Sequence, residues 1–323
     1  MKRASNVLFA LTAVFMLAGS ARAAAPTSVT LASSKNLWAA VPIIAEKKGF
    51  FAGEGLDVHL EYVQAAKFAM DALVSGQAQF STLVELNVAF LGYNGNRDLH
   101  VVATVVKSYD SAIVARRSAG IVVPADLSGK QIGVLPATTS AIFADRFLAK
   151  HGIAPGKVTL QNLQPIAIQT SIVQHQIDAG SVWQPFILNI TNALGKNDTT
   201  VFTDPAAYTG YMNIAVQASW QKQNPQTIAA FLRALDKAKT FIEAHPAEAQ
   251  RMLAGEVGLD EQTVKAIWKD YRFVTELDAP TLVGAISDEA RWIQKTQPGF
   301  SQKLVPVYDG YLDGAPLRAV QGH

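Results

Sequence analysis

Apolar and polar residues follow two periods along this chain, and the two periods take turns. Val29–Ala32 is a short apolar run that predicts a buried strand. Leu37–Lys48 then places Leu37, Val41, Ile44 and Ala45 on one helical face, and Gly49 predicts its stop. Leu56–Tyr62 alternates apolar and polar, as a half-buried strand does. Lys67–Val74 predicts a helix, Ala78–Leu83 a strand, Leu86–Tyr93 a helix and His100–Val106 a strong strand. The alternation restarts after Ala112–Ala115. Strands are expected over Gln131–Leu135, Val158–Leu163 and Ala179–Trp183, and helices over Thr139–His151 and Ile166–Gln174. Pro185–Leu194 and Thr200–Thr203 continue the theme, so Gly120–Tyr208 reads as the core of a second α/β lobe. Strands and helices joined by short links predict mostly parallel sheets covered by helices.

The last third changes character. Tyr211–Gln217 reads as one strand, and helices are expected over Pro225–Ala244, Pro246–Gly255, Asp260–Tyr271 and Ala279–Thr296. Pro225 and Pro246 sit at first-turn positions, where the missing N–H costs nothing. So few strands cannot build a third sheet, and this end is expected to fold back over the first lobe.

The N-terminus follows a different pattern. Lys2 and Arg3 precede the apolar run Val7–Ala18, Gly19 and Ser20 break it, and Ala21-Arg22-Ala23 offers small residues for cleavage. That order predicts a secretory signal peptide over residues 1–23, since the run is shorter than the roughly 20 residues a membrane span needs. Cleavage leaves about 300 residues, which suits two lobes. Cysteine is absent, so no disulfide, thiolate metal site or lipid-bearing cysteine is available. A freely soluble periplasmic protein, monomeric, is expected. Lys and Arg number 28 and Asp and Glu 26, and cleavage removes Lys2, Arg3 and Arg22. The near-neutral remainder offers no footprint for nucleic acid or an acidic membrane.

Three segments carry a resemblance. "AAVPIIAEKKGFFAGEGLDV" (Ala39–Val58), "DLSGKQIGVLPATTS" (Asp126–Ser140) and "IDAGSVWQPF" (Ile177–Phe186) are similar, in order and spacing, to elements of the nitrate/sulfonate/taurine-type substrate-binding proteins of ABC importers. The resemblance implies a type II periplasmic-binding-protein fold, two α/β lobes joined by two crossover strands with the ligand between them. The crossovers are expected near Asp110–Ala115 outward and Tyr211–Gln217 on return. Lobe 1 would then comprise residues 24–112 and 216–323, and lobe 2 residues 113–215. A permease and its ATPase are the implied partners. A sensor that reports ligand to a receptor would use the same clamp.

In open α/β sheets, ligands bind beyond the carboxyl ends of the strands, so the strand-to-helix links supply the candidates. Asn36 can cap its helix or bond a ligand, and Trp38 offers a flat wall or a core side chain. Glu85 is either a charge at a helix start or the partner of an amino group on the ligand. Thr138, Thr139 and Ser140 precede a helix and, with its free N–H groups, form an anion seat or an ordinary cap. Ala137 stands there in place of the family's usual glycine. Trp183 can enclose a ligand and Gln184 can donate and accept. Tyr211 begins the return crossover, and Asp110 and Ser111 flank the outward one. The aromatic residues favour an organic ligand over bare nitrate. An aliphatic sulfonate or taurine leads, and a thiamine-type pyrimidine precursor follows.

Catalysis finds no anchor. The six histidines show no zinc-ligand spacing, no G-x-S-x-G elbow occurs, and "GVLPATTS" lacks the Gly-Lys of a phosphate loop. Relatives of this fold that make a pyrimidine use a cysteine-rich segment, which this chain lacks. No catalytic residue, metal or cofactor is expected.

Overall fold

The structure is a computed structural model and describes residues 25–63 and 66–322; the expected signal peptide lies outside the described residues. The strands are β1 (Thr27–Ser34), β2 (Leu56–Val63), β3 (Phe80–Val84), β4 (His100–Ser108), β5 (Ser111–Arg116), β6 (Gln131–Val134), β7 (Thr159–Asn162), β8 (Ala179–Trp183), β9 (Thr199–Thr203), β10 (Gly210–Val216) and β11 (Tyr271–Glu276). They form a six-stranded sheet in the order β11-β4-β10-β3-β1-β2 and a five-stranded sheet in the order β7-β6-β8-β5-β9. Each sheet is parallel on one side, through β2-β1-β3 and β7-β6-β8. Each turns antiparallel where the chain crosses between sheets, at β10, β4 and β5.

The chain crosses twice. Tyr109 and Asp110 link β4 to β5, and residues 204–209 link β9 to β10. The return strand β10 pairs with β3 on one side and β4 on the other. Gly210–Ala215 therefore belong to the first sheet, although the sequence boundary at residue 216 gave them to the second lobe.

Helices α1 (Ala40–Lys47), α2 (Phe50–Gly53), α3 (Ala66–Val74) and α4 (Glu85–Tyr93) alternate with the first strands. Gly49 ends the first of them with φ +70°, donating its N–H to Glu46 O at 2.9 Å, a left-handed turn that glycine makes without strain. Helices α5 (Thr139–Lys150), α6 (Pro165–Val173) and α7 (Phe186–Leu194) cover the second sheet. Strand β8 meets α6 so closely that a Cβ on Gly180 would lie 2.3 Å from Ile168 Cγ2.

The C-terminal third supplies α8 (Ala218–Gln223), α9 (Pro225–Ala244), α10 (Pro246–Val257), α11 (Glu261–Ile267), α12 (Ala279–Thr296) and α13 (Ala315–Gln321). These helices cover the first sheet. Phe231 of α9 stacks on Phe80 with centroids 3.8 Å apart, and α12 packs on α4. One expectation fails here. The helix foreseen over Asp260–Tyr271 stops at Ile267, and Tyr271–Glu276 is an edge strand paired with β4. Pairing and burial of Tyr271 and Phe273 outweigh the helical spacing that precedes them.

Candidate functional site

A cavity of about 510 Å³ is lined from both sheets. The first sheet contributes Ser34, Asn36 and Trp38 after β1, Lys67 and Phe68 at the start of α3, Leu86 and Asn87 at the start of α4, and Met212 from β10. The second contributes Pro136–Thr139 after β6, Gln164 and Pro165 before α6, and Trp183 at the end of β8. All but Met212 lie where a strand hands over to a helix, which is where this architecture leaves room for a guest.

Asn36, Trp38, Thr138, Thr139 and Trp183, singled out from sequence, all reach this cavity. Asn36 also caps: its Oδ1 accepts from Trp38 N at 3.1 Å and from Ser34 Oγ at 3.3 Å. Thr138 Oγ1 donates to Leu135 O at 2.7 Å. Helix α5 then begins at Thr139 without a side-chain cap, so its first N–H groups remain to be satisfied. Trp183 and Phe186 meet edge-to-face with centroids 6.1 Å apart.

The other candidates have different tasks. Ser140 is buried and stitches α5 to β8: its Oγ donates to Ser181 O at 2.6 Å, and Ser181 Oγ donates to Ser140 O at 2.8 Å. Glu85 is wholly buried and does not line the cavity. Its Oε1 accepts from Tyr208 Oη at 2.6 Å and its Oε2 from Tyr211 N at 2.9 Å. Burial pushes its carboxyl above the usual range, and these donors oppose that rise. Leu86 and Asn87, the next residues of α4, face the cavity instead. Tyr211 spends its N–H on Glu85, and the alternation of β10 turns Met212 into the cavity. Ser111 is buried and its Oγ has no partner.

Asp110 and Gln184 line a second cavity of about 210 Å³, with Tyr109, Lys269 and Asp270. Gln184 Nε2 donates to Asp270 Oδ2 at 3.0 Å. Asp110 Oδ2 accepts from Trp38 Nε1 at 2.9 Å and from Tyr271 Oη at 2.8 Å. Burial pushes the Asp110 carboxyl up to about 6 against the hydrogen bonds from Tyr271, Ser108 and Trp38, and the charge of Asp270 adds to the rise.

Lys67, Phe68, Asn87, Gln164 and Met212 escaped the sequence reading. The link rule would have found Lys67, Phe68 and Gln164, since β2-to-α3 and β7-to-α6 are strand-to-helix links like the others. Met212 required the pleat of β10, which the sequence leaves open. Among the described residues lining the larger cavity, Lys67 is the one ionisable side chain, and its Nζ contacts Asp71 Oδ2 at 2.9 Å. The rest of the lining is apolar surface interrupted by hydroxyls and amides.

Ala137 adopts φ +56°, a left-handed conformation that costs a residue with a Cβ about 1–2 kcal/mol. Ala137→Gly is therefore expected to stabilise the protein by about 0.5–1 kcal/mol, after the greater chain entropy of glycine is subtracted. A urea titration checks this. An unchanged or lower midpoint would show that the loop holds Ala137 without strain.

The family description NMT1/THI5 like matches residues 39–249. The taurine-binding periplasmic protein of Escherichia coli (strain K12) is 28% identical over 299 residues, covering 86% of this chain and 88% of that protein. The periplasmic aliphatic sulphonate binding protein SsuA of Escherichia coli superposes with a TM-score of 0.77 at 14% identity, over 88% of this chain and 92% of that one. The alkanesulfonate-binding protein SsuA of Xanthomonas axonopodis pv. citri, bound to MOPS, gives 0.73 at 17% identity, over 90% and 99%. These likenesses establish the periplasmic-binding-protein fold. With the matched region spanning most of its length, this chain belongs to the NMT1/THI5-like family.

Proposed function

We propose that this chain is the periplasmic solute-binding component of an ABC importer and holds a small organic solute in the 510 Å³ cavity. The observation that carries this reading is the lining itself, drawn from the strand-to-helix links of two sheets that the chain joins only through two crossovers. A solute bridging such surfaces favours the arrangement in which they are closest. The family, the taurine-binding relative and the fold support the reading. Among the described residues, no helix is long and apolar enough to cross a membrane.

The lining also narrows the solute. The uncapped start of α5, with Thr139 beside it, suits an anionic or acceptor end. Trp38, Phe68, Trp183 and Met212 suit an apolar body. An ammonium group would find no carboxylate among the lining residues, because Glu85 is engaged elsewhere. An alkanesulfonate therefore fits better than taurine. An aminopyrimidine is the second reading, favoured by the two tryptophan walls and the amides of Asn87 and Gln164.

A thermal-shift screen with hexanesulfonate, taurine, nitrate and an aminopyrimidine tests this. Hexanesulfonate at a hundredfold excess over its Kd should add about 2.7 kcal/mol of stability, a rise of several degrees in Tm. Taurine raising Tm more than hexanesulfonate would reverse the assignment of solute. No response to any of the four would remove the sulfonate and pyrimidine readings together.

A further inference from the structure

Trp38 is more than a wall, because its indole touches both crossovers. Its Nε1–H donates to Asp110 Oδ2 at 2.9 Å, on the outward link. On the return strand, Gly210 leaves the space that the ring fills: a Cβ there would lie 2.3 Å from Trp38 Cη2. Trp38 is 6% exposed and still reaches the solute cavity. Asp110 in turn accepts from Tyr271 Oη at 2.8 Å, so one buried carboxylate oxygen holds a side chain of the cavity and the first residue of β11.

We propose that Asp110 is a positioning residue for the solute cavity: its ionised carboxylate anchors the Trp38 indole from beneath, and solute affinity depends on that anchor. This rests on the functional reading above. A charge-assisted hydrogen bond is roughly twice as strong as a neutral one, and a ring held in one pose loses less freedom when a solute packs on it. A proton on Asp110 weakens the anchor. Its carboxyl titrates at about 6, so the anchor is half lost near that pH, complete well above it and absent well below it, and affinity follows. The titratable and charged groups around it are Tyr271, Asp270, Tyr109 and Lys269. Of these, Asp270 raises the Asp110 value, and the hydrogen bond from Tyr271 lowers it.

Two readouts test the anchor on the full-length mature protein. The first needs no solute. The Trp38 indole N–H resonance, identified among the tryptophans by its loss in Trp38→Phe, should move with pH about a midpoint near 6 and stay fixed in Asp110→Asn. The second uses hexanesulfonate. At pH 7.5 its affinity should fall about five- to tenfold in Asp110→Asn, and the wild-type value should approach the variant's below pH 5. Tyr271→Phe provides an independent variant. It removes a donor to the carboxylate and should shift the resonance midpoint upward. A wild-type indole resonance indifferent to pH between 4.5 and 8, or wild-type affinity in Asp110→Asn at pH 7.5, overturns the proposal. If hexanesulfonate binds neither protein, the functional reading fails, and the resonance and its Tyr271→Phe shift alone decide the anchor.

Discussion

Glu85→Ala is expected to cost about 3–5 kcal/mol of stability, a large share of what holds a domain of ordinary stability together. Glu85 opens α4, where the helix start favours a negative charge. Its two oxygens take the Tyr208 hydroxyl and the Tyr211 N–H, so the residues that bring the chain back from the second sheet to the first are fastened to it. Alanine leaves both donors buried and unpaired and opens a void beneath α4. Tyr208→Phe, which removes one donor and keeps the volume, should cost about 1.5–3 kcal/mol. Urea unfolding of the two variants against wild type reads both values. A loss below about 1 kcal/mol for Glu85→Ala would mean that neighbouring groups or water replace the carboxylate without penalty.

That role for Glu85 could not be read from the chain alone, and the reason is specific. The link rule identifies which segments reach the cavity, and it worked for Asn36, Trp38, Thr138, Thr139 and Trp183. It does not give the rotation of a helix about its axis. At the start of α4 that rotation sends Leu86 and Asn87 into the cavity and Glu85 away from it. In β10 the same ambiguity is a matter of pleat, and Met212 takes the place expected for Tyr211. Hydrophobic periodicity located the central strands of both sheets because their buried runs are local, as in β4 and β8. It missed β11 because the helix before it runs to Ile267 and the strand exists only through pairing with β4. Partners far apart in sequence were equally hidden. Ser140 finds Ser181, Asp110 finds Trp38 and Tyr271, and Glu85 finds Tyr208, each through the fold.

Glu85 has one more distant neighbour. Glu289 of α12 is buried within hydrogen-bonding reach of Glu85, and its Oε2 has no partner. Two carboxylates cannot both ionise there. Glu85 has the donors, so it carries the charge and Glu289 carries the proton. Burial, then the charge of Glu85, pushes the Glu289 carboxyl well above the usual range; Asp288 adds to the rise, and Arg146, 6.0 Å from the Tyr208 ring, opposes it. The native state thus keeps a proton that the unfolded chain releases once pH exceeds the ordinary carboxylate value. Stability from this group is complete below that value and is lost as pH rises toward the raised native one, at about 1.4 kcal/mol per pH unit. Asp110 contributes with the same sign and is half titrated at about 6, but it is common to wild type and a Glu289 variant, so the difference between their curves isolates the pair. Glu289→Gln keeps a donor for Glu85 and has no proton to lose. Its stability should match wild type near pH 5 and exceed it increasingly up to pH 8, as urea unfolding at each pH will show. Parallel curves for variant and wild type across that range would place the proton elsewhere, and Glu85 would then hold Tyr208 and Tyr211 without a protonated partner.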